Sequence, residues 1–318
     1  MARSTSSPVA APGTAVGAVP GRSLALHLLL ALRPAQWIKN LVIFAGVLFG
    51  KRLLDGTAVV SAVSAFAIFC GLSGAVYLVN DIADRESDRG HPLKARRAIA
   101  SGALPVPLAA GAAAALGGGG LVAAYFLGQG FAAVAAAYLL LQLLYSSFLK
   151  HIVIIDVLTI AIGFVLRAAA GAVAIDVPIS HWLLILTILL ALFLALSKRR
   201  HELVLLADGA TSHRPILEEY SPYLLDQMIA VVTASTLISY VIYTVSPETV
   251  QKFHTDYLGL TLVFPLYGIF RYLYLVHQKE GGGSPSDMLL NDRPLLACVA
   301  LWAIAVAAII YGTSLING

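Results

Sequence analysis

The chain has 318 residues, of which 59% are hydrophobic and only 12% are charged, and its formal net charge is +4. Soluble domains average about 45–50% apolar and about 25% charged residues, so this composition argues against a soluble enzyme, a disordered protein and a disulfide scaffold. A membrane-spanning helix needs roughly 20 apolar residues, and the chain has enough for about nine. The composition indicates an all-α polytopic membrane protein whose basic excess is loop charge and not affinity for nucleic acid.

A polar start precedes nine apolar runs. Residues 1–22 are rich in Ala, Pro, Ser and Gly and lack an apolar core, which predicts a disordered tail that is not a signal peptide. Residues 23–318 are predicted to form a single transmembrane domain. Its predicted spans cover about residues 36–50, 57–80, 105–125, 128–148, 152–175, 180–197, 222–245, 256–277 and 291–312.

The basic residues predict how these spans are oriented. Of the 21 Lys and Arg residues, seventeen fall on one side of the membrane if the spans alternate, three fall on the other side, and Arg167 lies within a span. Because cytoplasmic loops carry the excess of Lys and Arg, we expect the N-terminus and the richly charged side to be cytoplasmic. Acids crowd the end of the second span on that side, so we expect the chemistry of the protein to face the cytosol.

The most informative motif is the run of oxygen donors at the end of the second span. In a continuing helix each residue turns by about 100°, so Asn80, Asp84 and Asp88 share one face and Asp81 falls within the same arc. Carboxylates in such a group repel one another unless a cation joins them, and Mg²⁺ prefers oxygen ligands together with substrate phosphates. The alternative is a solvated helix end whose acids pair with neighbouring arginines.

A basic loop follows these acids and contains Lys94 and Arg97. A metal-bound diphosphate needs this combination, because the metal neutralises part of the charge and Lys and Arg donors bind the remaining oxygens. Taken alone, the loop is more simply explained as charge on the cytoplasmic side. Its position next to the acids favours diphosphate binding.

Further polar residues lie at the ends of other spans. Gln36, Lys39 and Asn40 share a helix face that either binds a phosphate or holds residues at the membrane boundary. Lys198 and Glu202 are four residues apart, so a pair within one helix is the simpler account. The remaining candidates at or near span ends are Tyr145, Lys150, Asp156 and Arg199.

Two charges lie inside the fifth predicted span. Asp156 is near the cytoplasmic end of this span. Arg167 is 11 residues further along the chain, which places it about 16 Å deeper because a helix rises by about 1.5 Å per residue. Charges within a span are costly and indicate function by default. Asp156 is expected to reach the site at the charged end, and Arg167 has either a structural or a functional role.

These residues resemble the UbiA superfamily of intramembrane prenyltransferases from about Arg33 to the C-terminus. The family motif Asn-Asp-x-x-Asp-x-x-x-Asp is present from Asn80 to Asp88, and Arg-x-Ile-Ala-x-Gly is present from Arg97 to Gly102. The resemblance implies a bundle of nine transmembrane helices around a cavity that opens to the cytoplasm. Mg²⁺ is the implied cofactor, with Asn80, Asp84 and Asp88 as its ligands.

One departure from the family pattern narrows the expected substrate. Typical members carry a second Asp-x-x-x-Asp motif after the sixth span, whereas this chain has a basic cluster there that begins at Lys198 and contains one acid, Glu202. This variant is similar to a branch that transfers 5-phosphoribose from phosphoribosyl diphosphate (PRPP) to decaprenyl or another polyprenyl phosphate for bacterial cell-wall arabinan synthesis. More cations and fewer carboxylates suit the additional phosphates.

The resemblance implies roles for the candidate residues. Catalysis is expected to depend on Asp84, Asp88 and Lys39. The substrates are expected to be bound by Lys39, Asn40, Lys94, Arg97, Tyr145, Lys150, Asp156, Lys198, Arg199 and Glu202. Within that set, Lys94 and Arg97 are assigned to the diphosphate, and Lys198 and Arg199 to the 5-phosphate. Lys39, with Tyr145 or Lys150, is assigned to the lipid phosphate.

Two other functions stay open at this point. One is transfer of a prenyl chain from its diphosphate to an aromatic or polar acceptor, and the other is transport of a solute across the membrane. The expected location is the bacterial plasma membrane. The expected partners are PRPP, a polyprenyl phosphate and the bilayer, with homo-oligomerisation left open and no nucleic acid.

Overall fold

The computed structural model describes residues 23–90, 94–207, 215–279 and 284–316, and the regular elements in these ranges are helices. The predicted tail at residues 1–22 lies outside them. The α-helices are α1 (Leu24–Ala31), α2 (Ala45–Phe49), α3 (Gly56–Ala83), α4 (Arg85–Arg89), α5 (Val106–Leu127), α6 (Gln129–Ser147), α7 (Ile155–Ala174), α8 (His181–Ala207), α9 (Pro222–Val245), α10 (Pro247–Phe253), α11 (Val263–Gln278), α12 (Pro285–Asn291) and α13 (Arg293–Ile316). Short 3₁₀ helices cover Pro34–Phe44, Lys94–Arg96, Leu149–His151, Pro215–Glu219 and Tyr257–Leu262.

The predicted spans are confirmed, and the first one has an irregular shape. Eight helical segments in the described ranges are long and apolar enough to cross a membrane. A ninth span results if Leu24–Ala31 and Pro34–Phe49, which meet at an angle of 48°, count as one. Most of the span predicted at 36–50 lies in the 3₁₀ helix Pro34–Phe44. This helix has 11 residues, which is long for that conformation. Arg33 precedes it with a left-handed φ of 54°.

The first span packs directly against the backbone of α7. A Cβ atom added to Gly171 would lie 2.0 Å from the carbonyl oxygen of Ile43, and one added to Gly46 would lie 2.8 Å from the carbonyl carbon of Gly171. Only residues without a side chain allow two backbones to approach so closely, a common solution between membrane helices. This contact brings Lys39 and Asn40 of the 3₁₀ helix next to α7.

The two ends of the bundle differ in chemistry. One end, here called the aromatic end, contains Tyr311, whose hydroxyl accepts a hydrogen bond from the Leu53 amide at 2.9 Å, and Trp302, whose indole N–H donates to Tyr240 at 2.9 Å. At the opposite end lie the ion pairs of the acidic motif and of Asp156. We call this the charged end. The candidate residues from the second, fifth and sixth predicted spans therefore meet at one end, as predicted.

Two helices have boundaries that bear on the site. Helix α8 continues to Ala207, ten residues beyond its predicted end, so Lys198 and Glu202 lie on a regular helix. Helix α3 ends at Ala83, and Asp84 forms a one-residue break before α4. The predicted continuation of the second span is therefore correct except for this break.

Candidate active site

The acidic motif is held together by two arginines. The Nη2 atom of Arg33 lies 2.5 Å from Oδ1 of Asp81, and Nη1 of Arg97 lies 3.1 Å from the same oxygen. Arg97 also lies 2.7 Å from Oδ2 of Asp88. Both aspartates are buried, with 4% and 3% of their surface exposed. Burial of two carboxylates at one helix end is tolerable because each has a cationic partner.

Local structure explains why both arginines point into this end. Arg33 occupies the turn between α1 and the 3₁₀ helix, and its guanidinium stacks over the Tyr77 ring at 4.8 Å. Arg97 directly follows the 3₁₀ turn Lys94–Arg96. The next residues insert Ile99 and Leu104 into the core, each 1% exposed. These apolar anchors fix the basic loop against α3 and α5.

The predicted metal ligands are only partly assembled. Asn80 and Asp84 are half-buried, and in the part of the chain that the structure describes neither side chain forms a hydrogen bond or ion pair. Those ranges contain no group of three or more His, Cys, Asp or Glu side chains placed to hold a metal ion. Asp88 binds Arg97 instead. The donor set still fits Mg²⁺ chemically, because it offers only hard oxygen ligands and Asp88 already binds a cation.

A second ion network joins α7 to α8. Asp156 is fully buried; its Oδ2 lies 2.8 Å from Nε of Arg199, and its Oδ1 accepts a hydrogen bond from the Tyr220 hydroxyl at 2.9 Å. Arg199 is 1% exposed, also pairs with Glu202, and donates to the Tyr145 hydroxyl at 3.3 Å. Asp156 therefore orients Arg199, and its predicted contact with a substrate stays a prediction.

Tyr220 connects this network to the turn before α9. Its hydroxyl accepts a hydrogen bond from the Ile154 amide at 2.7 Å while it donates to Asp156. Ile154 has a left-handed φ of 68°, which is costly for a β-branched residue. Burial is the main cause that raises the pKa of Tyr220 to about 12. The phenol therefore stays protonated at neutral pH and remains a donor to Asp156.

A third network lies deeper along α7. Arg167 is 5% exposed, and it donates from Nε to Oδ1 of Asn40 at 2.8 Å and from Nη2 to the Tyr138 hydroxyl at 2.7 Å. Asn40 is itself buried and donates to Ser73 at 3.4 Å. Asn40 therefore fixes the Arg167 side chain, and its predicted contact with a substrate stays a prediction.

Lys39 lies between the three networks. Its ammonium is half-buried and is repelled by the charges of Lys198, Arg167 and Arg33, whereas Asp287 on α12 offsets part of that repulsion. Lys39 forms no hydrogen bond or ion pair with the residues described. Lys198 lies 3.7 Å from Glu202 across one helical turn. The convergence of cations on Lys39 makes this region suitable for an anion with several charges.

The structure leaves one candidate, Lys150, without a polar contact to the other described site residues and adds residues that were not candidates. Lys150 lies in the 3₁₀ helix Leu149–His151 and makes no hydrogen bond or ion pair within the described ranges. Arg33 and Asp81 belong to the sequence motifs at the ends of the first two spans, so the sequence alone could have identified them as site residues. Tyr220 carried no signal, because it belongs to a turn 64 residues away from Asp156.

Comparison with known proteins gives a consistent family match. The UbiA prenyltransferase family matches residues 40–290. Decaprenyl-phosphate phosphoribosyltransferase of Mycolicibacterium smegmatis is 33% identical over 304 residues, covering 92% of this chain and 95% of that protein. The enzyme of the same name from Corynebacterium glutamicum is 32% identical over 296 residues, covering 92% of this chain and 89% of that protein.

A solved structure has the same fold. The UbiA homolog from Archaeoglobus fulgidus bound to GPP and Mg²⁺ superposes with a TM-score of 0.69, covering 90% of this chain and 99% of that chain at 18% identity. At this identity the likeness establishes the fold alone. It confirms the predicted all-α transmembrane bundle.

Proposed function

The chain belongs to the UbiA prenyltransferase family, whose members are transferases, and we propose that it transfers 5-phosphoribose from PRPP to decaprenyl phosphate or a related polyprenyl phosphate. Diphosphate is the second product. Family membership leaves no support for the transporter alternative. The named relatives, 33% and 32% identical over most of the chain, agree with this proposal.

One observation carries the choice of substrate. Lys198, Arg167 and Arg33 converge on Lys39, in a region where a donor with one phosphate group more than a prenyl diphosphate would meet a phosphorylated acceptor. Cations in a low-dielectric cleft bind and orient such anions strongly. A prenyl diphosphate with an uncharged acceptor would leave part of this positive charge unmatched.

The donor diphosphate is assigned to the acidic motif and the basic loop. Arg97 and Lys94 bind its oxygens, which requires Arg97 to turn from Asp81 and Asp88 toward the substrate. Mg²⁺, held by Asn80, Asp84 and Asp88, neutralises charge on the leaving group when bound. Lys198 binds the 5-phosphate, and Arg199, fixed by Asp156, keeps this end of α8 in place.

The reaction is a single displacement at C1 of the ribose. An oxygen of the lipid phosphate forms a bond to C1 while the bond from C1 to the diphosphate oxygen breaks, which inverts the configuration. The lipid phosphate is already anionic at neutral pH, so the chain needs to position it and not to deprotonate it. Lys39, with Tyr145 or Lys150 at the same end, provides that positioning.

The same proposal includes the location of the chemistry. The charged end contains most of the Lys and Arg residues, so it is assigned to the cytoplasmic side of a bacterial plasma membrane. The product is assigned to the supply of precursors for cell-wall arabinan.

A transfer assay tests the proposed function. Purified protein with Mg²⁺ is incubated with a polyprenyl phosphate and PRPP labelled in the ribose, and the lipid phase is then counted. Label is expected in the lipid phase only when both substrates are present. Absence of label, together with prenyl transfer from a prenyl diphosphate to an aromatic acid, would contradict the proposal and favour the alternative family reaction.

A further inference from the structure

Arg167 is a buried cation whose contacts are all uncharged. Its hydrogen-bond acceptors are an amide oxygen and a phenol, and its guanidinium also lies 4.7 Å from the Tyr138 ring centre and 5.1 Å from that of Phe164. In the described ranges it forms no ion pair with a carboxylate. A charge buried inside a membrane span is costly without a counter-ion. An anion that binds from outside the chain would supply that counter-ion.

The guanidinium points toward the charged end and lies close to Gly163. Helical side chains tilt toward the N-terminus of their helix, and α7 begins at the charged end. The two atoms nearest to a Cβ built on Gly163 are Nη1 of Arg167, at 3.7 Å, and Nε2 of Gln142, at 3.2 Å. Neither nitrogen has a hydrogen-bond acceptor among the described residues. Two donors without acceptors, on Arg167 and Gln142, therefore lie next to Gly163, which has no side chain.

Lys39 adds a second positive charge to the same region. It is adjacent in sequence to Asn40, which binds Arg167, and its ammonium is repelled by the Arg167 guanidinium. Lys39, like Arg167, makes no ion pair in the described part of the chain. Two cations held near each other without an acid between them are stabilised by a shared anion.

We propose that Arg167, Gln142 and Lys39 form a phosphate-monoester subsite within the bundle, and that it takes the phosphate of the lipid acceptor. The assignment to the acceptor rests on the proposed function. It follows from Lys39, which the proposed function assigns to the lipid phosphate and whose ammonium interacts with the charge of Arg167.

The test measures binding of farnesyl phosphate, a short-chain probe, to the detergent-purified protein without donor. Arg167→Met removes the charge but keeps a long side chain, and it is expected to weaken binding at least tenfold. Gly163→Ala keeps Arg167 and adds a methyl group beside both donors, which displaces the end of the Gln142 side chain and is expected to weaken binding several-fold. Binding of PRPP is expected to change less than twofold in both variants.

Controls separate this subsite from a structural role for Arg167. Arg271→Met breaks an ion pair of 2.8 Å with Asp292 elsewhere at the charged end and is expected to leave farnesyl phosphate binding unchanged. Farnesol, which lacks the phosphate, is expected to bind equally to the wild type and to both subsite variants. If Arg167→Met does not fold, Gly163→Ala decides, because it retains the cation.

Three results would overturn the inference. Unchanged farnesyl phosphate binding in both variants means that Arg167 is structural. Weakened binding of PRPP alone assigns the subsite to the donor. Competition by inorganic phosphate at the same concentrations as farnesyl phosphate assigns it to free phosphate. Because binding is measured without turnover, a failure of label transfer in the wild type contradicts the proposed reaction and not the subsite.

Discussion

Arg97 and Asp88 form an ion pair of 2.7 Å across nine residues of chain, with the aspartate buried and the arginine partly exposed. This contact joins the acidic helix end and the basic loop, which are separate motifs in the sequence, into one unit. The cation that the adjacent carboxylates need is supplied by the chain itself. Any ligand that binds Arg97 must therefore compete with Asp88 and Asp81.

Replacing Arg97 by Gln should reduce both activity and stability. Breaking a buried ion pair costs about 3–5 kcal/mol, and we expect about 2 kcal/mol here because Arg97 is 30% exposed. Label transfer should fall at least 100-fold, and the Tm measured without metal should fall. Mg²⁺ should restore part of the Tm, since Asp88 loses its cationic partner and would be one of the metal's ligands. A Tm that does not respond to Mg²⁺ would contradict a metal site at this helix end.

Asp84→Asn should abolish transfer and leave the fold intact. The Asp84 side chain has no hydrogen bond or ion pair in the described ranges. Removing its charge therefore breaks no such contact in the fold. We expect a free energy of unfolding within about 0.5 kcal/mol of the wild-type value and no detectable label in the lipid. Asp292→Asn, which loses an ion pair with Arg271, serves as a carboxylate control. Unfolding of the Asp84 variant would show that the motif is structural.

Tyr220→Phe should uncouple the turn before α9 from the site. The variant loses the hydrogen bond to Asp156 and leaves the Ile154 amide without its acceptor, at a cost of about 1–3 kcal/mol. Because Asp156 then holds Arg199 less firmly, we expect the KM for PRPP to rise more than kcat falls. Steady-state kinetics with varied donor distinguish this result from a uniform loss of folded enzyme, which would lower kcat alone.

Gly171→Ala should displace the first span. The new methyl group would meet the Ile43 carbonyl oxygen at 2.0 Å, and relief requires the backbone to move at a cost of about 1–3 kcal/mol or more. Lys39 and Asn40 move with that backbone, so transfer should fall as well. Gly118→Ala is the matched control, because a Cβ there would have no atom within 4 Å. Equal stability of the two variants would contradict the close contact.

Much of the fold could be predicted because apolar runs of span length leave few alternatives. The span predicted at 222–245 coincides with α9, and the others differ by a few residues. The exceptions are local: the 3₁₀ helix before Phe44 and the extension of α8 beyond residue 197. Hydropathy alone predicts neither feature, because the 3₁₀ helix depends on packing against α7 and the extension of α8 depends on ion pairs.

The sequence could predict which charged residues lie at one end of the bundle but not which of them pair. Motifs at one end of the bundle identified Asp88, Arg97 and Lys39. Which acid binds which base depends on contacts between residues far apart in sequence, such as Arg33 with Asp81 over 48 residues. Helix packing determines those distances, and one sequence does not reveal it. The contact of Tyr220 with Asp156 could not be predicted for the same reason.

The pairing of Arg33 and Arg97 with Asp81 and Asp88 also bears on how the protein reaches its membrane. Two guanidinium groups and two carboxylates cancel, so the end of α3 is close to electroneutral before any ligand arrives. The nascent bundle can therefore complete its insertion and assembly without recruiting ions from its surroundings. Folding of the chain then requires no metal, and purification in a chelator is expected to yield a folded protein.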